Sequence, residues 1–220
     1  MVGTNVEQAR FNMIEQQVRP GEVLDPRVLS VLAEVPREAF VPEAFRGLAF
    51  ADIRVPLGEG ECMMSPIMEG RMLQALDVQP DEQVLEIGTG SGFVTACLAR
   101  LGKEVVSVEI HESLATRARQ ALEARGVSNA SVQTGDVFTD GLPQGDYDVI
   151  AVTGSLPVED DRFRRLLKPG GRLFVIVGED PIMEALLITR SGDSQWIRES
   201  LFDTEIPALI HAPQPQRFSF

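Results

Sequence analysis

Residues 84–93 read VLEIGTGSGF and hold the densest chemistry in the chain. Gly88, Gly90 and Gly92 stand at alternate positions after an apolar run, with Thr89 between the first two and an acid, Glu86, two residues ahead. Glycines let a backbone turn sharply and let a ligand approach it closely. A helix opening behind them would present free N–H groups. Two further acids close later apolar runs. Glu109 is the acid of VVSVEI, 21 residues after Gly88, near the spacing of ~20 at which an acid meets ribose hydroxyls. A carboxylate has enough lone pairs to accept from two such hydroxyls. Asp136, in QTGDVF, stands where a third strand would end and could accept from an adenine amino group. Ile110 and Val137 follow these acids directly, and Thr153 sits in VTG; all three are candidates to touch the same ligand. Plainer readings stand beside these: a structural turn for the glycines, an exposed strand-end acid for Glu109, a turn or cap aspartate for Asp136.

The glycine spacing bears on the type of ligand. The dinucleotide fingerprint is GxGxxG. Here the third glycine comes one residue early and Phe93 follows it, which disfavours a nicotinamide oxidoreductase. The form ExGxGxG resembles that of S-adenosylmethionine-dependent methyltransferases. Their ligand has no pyrophosphate to cradle, and its sulfonium suits acidic surroundings.

A second stretch, GEGECMMSPIMEG at 58–70, is unlike an ordinary loop. Met63 and Met64 read either as plain core filler or as a soft, polarizable wall. Ser65 before Pro66 reads as the N-cap of a helix.

The rest of the composition narrows the field. Acidic residues number 33 against 20 basic ones, a net charge of -13. Such a surface repels phosphate backbones, so no nucleic-acid partner is expected. His111 and His211 lie far apart and read as solvated surface, and Cys62 and Cys97 lack CxxC spacing, so no metal site is expected. No apolar run approaches the ~20 residues that span a bilayer, and the first residues do not read as a secretory signal. A reduced, cytoplasmic setting is the expectation.

The elements that must hold these residues follow from periodicity. Residues 5–18 carry apolar groups at helical spacing up to Arg19-Pro20-Gly21. Asp25-Pro26 and Ser65-Pro66 each open a helix, over 27–34 and 67–76. From residue 82, strands at 84–87, 104–108, 130–134, 147–152 and 172–177 alternate with helices at 93–101 and 112–124. Residues 168–171, KPGG, read as a structural turn. Strands at 185–190 and 196–202 form a closing antiparallel pair. This predicts an α/β doubly wound, mostly parallel Rossmann-like sheet with an N-terminal helical extension and a C-terminal antiparallel edge. Residues 1–80 read as that extension with the acceptor loop, packed on a core of residues 81–220 as one unit.

Four segments together resemble the protein-L-isoaspartate (D-aspartate) O-methyltransferases: VLSVLAEVPREAFVP at 28–42, AFADIRVPLGEGE at 49–61, VLEIGTGSGF at 84–93 and GGRLFVIVG at 170–178. VTGSLP at 152–157 parallels the family's Thr-x-x-x-Pro. The resemblance implies the class I methyltransferase fold, S-adenosyl-L-methionine as cofactor with S-adenosyl-L-homocysteine as product, and methylation of the free carboxylate of isoaspartyl residues in damaged peptides or proteins. The family loop runs approximately Gly-Gln-Thr-Ile-Ser-x-Pro. Here Glu61 replaces Gln, Cys62 replaces Thr, Met64 stands at the serine position, and Ser65 lies one residue later. The resemblance implies that Glu61, Cys62, Met63 and Met64 line the acceptor site, and it gives Ser65 a second reading, a catalytic hydroxyl in place of the displaced serine. Glu61 would be a poor neighbour for an incoming carboxylate if it pointed into the site. The tail DTEIPALIHAPQPQRFSF also departs from the family's Val-x-Phe-Val-Pro-Leu-like stretch. Another carboxylate or small-molecule acceptor, or a silent cofactor-binding protein acting by interaction, are the alternatives these departures leave open.

Overall fold

Alternating buried strands and helices from residue 83 onward build a seven-stranded sheet. The computed structural model describes residues 6–215; Asn5, the expected first residue of the first helix, and the last five residues of the divergent tail lie outside them. The first helix, α1 (Val6–Met13), runs on as a π-helical turn over Ile14–Val18. Asp25 caps α2 (Pro26–Glu34), its carboxylate accepting from the Arg27 N–H at 2.7 Å. Two 3₁₀ segments follow, Arg37–Ala39 between Pro36 and Pro42 and Glu43–Leu48 directly after Pro42. A small antiparallel hairpin follows, β1 (Val55–Gly58) and β2 (Glu61–Met63), and leads into α3 (Pro66–Leu76). This hairpin has no counterpart in the sequence expectations: strands of three or four residues are too short to show a period.

The core elements are β3 (Gln83–Ile87), α4 (Phe93–Leu101), β4 (Glu104–Glu109), α5 (Glu112–Glu123), β5 (Ala130–Thr134) and β6 (Tyr147–Leu156). After them come a one-turn helix α6 (Asp161–Arg164) and the long strands β7 (Leu167–Glu179), β8 (Ile182–Gly192) and β9 (Gln195–Thr204). Strand order is β5-β4-β3-β6-β7-β8-β9. The pairs from β5 through β7 are parallel, and β8 and β9 form the expected antiparallel edge. The KPGG segment is drawn into the start of β7, with a register break opposite Tyr147.

The inner strands β3, β4, β6, β7 and β8 bury both faces, as a sheet covered by helices requires, whereas the edge strands β5 and β9 bury no residue fully. Val84, Val105, Val149, Phe174 and Ile176 face one core, shared with Met13, Leu32, Met72 and Leu98 from the helices. Leu85, Ile87, Ile150, Val152 and Val175 face the other, with Phe163 of α6. The apolar groups of the N-terminal helices thus join the same core as the sheet. From β3 the chain winds outward through β4 to β5, then returns to place β6 on the other side of β3. That reversal opens a crevice at the carboxyl ends of β3 and β6, where open α/β sheets bind ligands.

Candidate active site

The crevice is a cleft of about 620 Å³ including its open mouth, a size suited to a ligand of cofactor dimensions. Gly88, Gly90, Glu109, Ile110, Asp136, Val137 and Thr153 line it, as the sequence predicts. An adjoining recess of about 310 Å³ shares Cys62, Gly88, Gly90 and Thr153 and adds Met63, Met64 and Thr89. Among the described residues no Lys or Arg lines either space, while Glu61, Glu109 and Asp136 line the cleft.

The glycine loop is shaped by close approach. Gly88 has φ 96°, and a Cβ there would lie 2.4 Å from Thr153 Oγ1, so a side chain at 88 is excluded on both conformational and steric grounds. The Thr153 hydroxyl reaches the carbonyls of Ile87 and Gly88, at 2.8 and 2.5 Å, and pins the loop to β6. Gly92 lines neither space, though Ser91 and Phe93 on either side of it line the recess. It starts α4 with φ 84°, where an added Cβ would meet Ala118 Cβ at 3.2 Å, so its smallness serves the packing of α4 on α5.

Glu109 is buried at the tip of β4 with both oxygens held by backbone donors: Oε2 accepts from Gly90 N at 2.8 Å and Oε1 from His111 N at 3.0 Å. The carboxylate is fixed in the cleft wall, with lone pairs left for further donors. Asp136 accepts from Phe138 N (2.8 Å) and Thr139 Oγ1 (2.9 Å) and sits 2.6 Å from His211 Nδ1. Burial works to raise its carboxyl, but the Phe138 N–H and His211 outweigh it and hold the group below its ordinary value.

Several placements correct the sequence reading. Glu86 does not reach the cleft. Its side chain is fully buried beneath α4, where Oε2 accepts from Thr95 Oγ1 at 2.5 Å and Ser107 Oγ at 2.6 Å. Burial lifts its carboxyl to about 7 against those two hydrogen bonds. Thr89 lines only the recess, its hydroxyl 2.5 Å from that of Ser107. Ser65 lies outside the residues lining the cleft and recess. It holds the N-cap position of α3 in extended conformation, yet its hydroxyl makes no capping bond; Asp52 Oδ1 accepts from Ile67 N instead, at 3.0 Å. Each histidine has a carboxylate partner, His111 partly buried and His211 on the surface as expected. His111 Nε2 lies 3.6 Å from Glu61 Oε1, and His211 belongs to the Asp136 cluster. Burial pushes the Glu61 carboxyl up, opposed by His111 and reinforced by Glu109.

Two features escaped the sequence reading. Arg37, from VPREAFVP, is fully buried; it donates to Glu69 and, at 2.7 Å, to the Met64 carbonyl, and its guanidinium stands 5.3 Å from the centre of the Phe93 ring. A buried arginine must find acceptors for its donors, so the loop wall is tied to α3 and to the glycine loop at once. The tail is the second. Ser155 N donates to Pro207 O (3.0 Å), Leu209 N to Ser155 O (2.9 Å) and Ser155 Oγ to Ile206 O (2.9 Å), which lays residues 207–210 along the cleft. The proline-bearing DTEIPALIH segment has no strand period to reveal this.

This doubly wound sheet, with a glycine loop and an acidic cleft at the switch point, defines a methyltransferase of the class I, S-adenosylmethionine-dependent type. The family model of protein-L-isoaspartate(D-aspartate) O-methyltransferase matches residues 8–206. A protein-L-isoaspartate O-methyltransferase of Rhodopseudomonas palustris is 36% identical over 221 residues, covering 97% of this chain and 90% of that relative. One of Roseiflexus is 39% identical over 212 residues, covering 95% and 96%. A Plasmodium falciparum chain assigned to the same enzymes and solved with S-adenosyl-L-homocysteine superposes with a TM-score of 0.80 at 20% identity, covering 94% of this chain and 98% of that one. The chain belongs to the protein-L-isoaspartate (D-aspartate) O-methyltransferase family.

Proposed function

We propose that the protein methylates the free carboxylate of isoaspartyl residues in peptides and proteins, using S-adenosyl-L-methionine. The observation that carries this reading, within that family, is the clamped Glu109 carboxylate beside the glycine loop: a fixed acceptor of paired hydroxyls facing a cleft whose lining holds acids and no cation. Such a lining suits a nucleoside that carries a sulfonium. Glu109 takes the ribose hydroxyls, Asp136 the adenine amino group, and Ile110 and Val137 flank the base. Gly88 and Gly90 admit the methionine portion. Cys62, Met63 and Met64 form the wall that the acceptor meets, next to Thr153.

The bound cofactor supplies a methyl group on positive sulfur, which an acceptor carboxylate oxygen takes as the carbon–sulfur bond breaks, leaving a methyl ester and S-adenosyl-L-homocysteine. The acceptor is already ionised at neutral pH, so no side chain need remove a proton. The protein's part is alignment and exclusion of water. The thioether wall and the tail over residues 207–210 supply an apolar, covered surface for it.

Among the described residues no helix is long and apolar enough to cross a membrane. We place the protein in the cytoplasm, a setting that suits the free thiols of Cys62 and Cys97. The test is transfer of labelled methyl from S-adenosylmethionine to an isoaspartyl peptide, with the normal aspartyl peptide as control. Base-labile label on the first alone is expected. S-adenosylhomocysteine binding with no label on either peptide would overturn the acceptor assignment.

A further inference from the structure

The acceptor is an anion, yet among the described residues the walls that would receive it hold no cation. Arg37 touches the loop from behind, but it is fully buried and engaged with Glu69, Ala49 O and Met64 O. Arg54 is different. It immediately precedes β1, whose Val55 pairs with Met63 and Pro56 with Cys62 of the acceptor wall. Its charge reaches the Cys62 thiol, where it opposes the rise that burial causes. Its guanidinium is engaged by the tail: Nη2 lies 3.2 Å from Glu205 Oε1, and Nη1 donates to the Glu205 carbonyl at 3.3 Å. Both side chains are substantially exposed, 41% and 50%. Glu205 lies two residues before Pro207, where the tail begins to line the cleft.

We propose that Arg54 is the acceptor-binding cation of this enzyme and that Glu205 holds its place until the substrate carboxylate displaces it. This rests on the reading of the acceptor as a carboxylate. An exposed ion pair contributes little to stability, so exchanging one carboxylate for another on Nη2 is nearly even, and the bond from Nη1 to the Glu205 carbonyl keeps the guanidinium tied to the tail meanwhile. Glu61, the acid that would oppose an anion here, is already set against His111. The arrangement also separates substrate from product. Methylation removes the charge that Arg54 recognises, so Glu205 regains the guanidinium as the neutral ester leaves.

The two partners should move the acceptor affinity in opposite directions, which a merely structural ion pair cannot do. Arg54→Ala should raise KM for an isoaspartyl peptide by about 10- to 100-fold, the range for losing a charge-assisted hydrogen bond, and Arg54→Lys should recover part of it. Glu205→Gln should lower KM, because the competitor is gone while the carbonyl remains. Anisotropy of a labelled isoaspartyl peptide titrated in the presence of S-adenosylhomocysteine should follow the same order without any turnover. Calorimetric affinity for S-adenosylhomocysteine alone should stay at the wild-type value in all three variants, which shows that each is folded. Arg54→Ala and Glu205→Gln weakening the peptide alike, or leaving it unchanged, would overturn the proposal. A wild-type protein that binds S-adenosylhomocysteine but neither binds nor methylates the peptide would instead remove the acceptor reading beneath it.

Discussion

The guanidinium of Arg37 meets both carboxylate oxygens of Glu69, at 3.0 and 3.1 Å, with neither side chain reaching solvent. The pair ties the segment before the acceptor loop to α3, and the second bond from Nη2, to Met64 O, fixes the loop between them. Removing one member strands the other charge in the interior. Arg37→Ala should therefore cost about 3–5 kcal/mol in urea unfolding. Replacing both by apolar residues, Arg37→Met with Glu69→Leu, should cost far less, since no charge is then left unpaired. A double variant as unstable as Arg37→Ala would mean that the bonds to Ala49 O and Met64 O, not the pairing of charge, carry the cost.

Of the proposed cofactor contacts, Glu109 has both carboxylate oxygens held by backbone donors. Glu109→Ala should weaken S-adenosylhomocysteine binding by about 10- to 100-fold, as expected for losing hydrogen bonds to a charged acceptor. Calorimetry measures it directly, and circular dichroism confirms that the β4 tip survives the loss of its bonds to Gly90 N and His111 N. Unchanged affinity in a folded variant would detach Glu109 from the ligand.

The legible and illegible parts of this chain divide on physical grounds. Buried parallel strands announce themselves as short β-branched runs, so β3 to β6 and the carboxyl-end positions of Glu109 and Asp136 could be read in advance. The direction of a side chain is set by strand parity. Glu86 alternates with Leu85 and Ile87 and shares the face of Val84, which packs under α4. That parity was available in the sequence and places Glu86 below the sheet surface, away from the cleft. Arg37 offered no such signal, because its acceptors come from residues 49, 64 and 69 and meet only in the folded chain. The same holds for His111 and His211, each of which finds its carboxylate across the fold.

Glu86 makes stability depend on pH in a stated direction. Folding raises its carboxyl from the ordinary 4.5 to about 7. The folded state therefore binds more protons than the unfolded one between these values, and stability should fall as pH rises through that window, then level off above about 7. The full shift corresponds to about 3 kcal/mol. Glu86→Gln should abolish this component and be the more stable protein, relative to wild type, at pH 8 than at pH 5. Denaturant midpoints across pH 4.5–8 measure it; parallel curves for the two proteins would show that Glu86 is not the titrating group.

Ser65 and Asp52 divide the work expected of one cap. The Ser65 hydroxyl makes no capping bond, whereas Asp52 Oδ1 takes the Ile67 N–H. Ser65→Ala should thus change stability by less than about 0.5 kcal/mol. Asp52→Ala should cost about 1 kcal/mol, the usual loss of a helix cap. Thermal unfolding of the two variants decides between them, and the reverse order would return the cap to Ser65.

The tail's hold on the cleft turns on one missing side chain. A Cβ at Gly154 would come 2.7 Å from Leu209 Cδ2 and 3.1 Å from its Cγ, and only 3.4 Å from the Pro207 carbonyl. Leu209 and its neighbours can lie along the end of β6 because residue 154 has no side chain, and there they form part of the cleft lining. Gly154→Ala should lift Leu209, loosen residues 207–210 and weaken S-adenosylhomocysteine binding, with faster proteolytic cleavage within the tail. Two of the three contacts are to the flexible end of one side chain, so Leu209→Ala in the Gly154→Ala background should let the tail settle again. The double variant should then recover protection from proteolysis relative to Gly154→Ala, even though the apolar wall that Leu209 provides is lost. A Gly154→Ala protein with wild-type affinity and protection would mean that Leu209 moves aside without carrying the backbone, and that the Ser155 hydrogen bonds alone hold the tail.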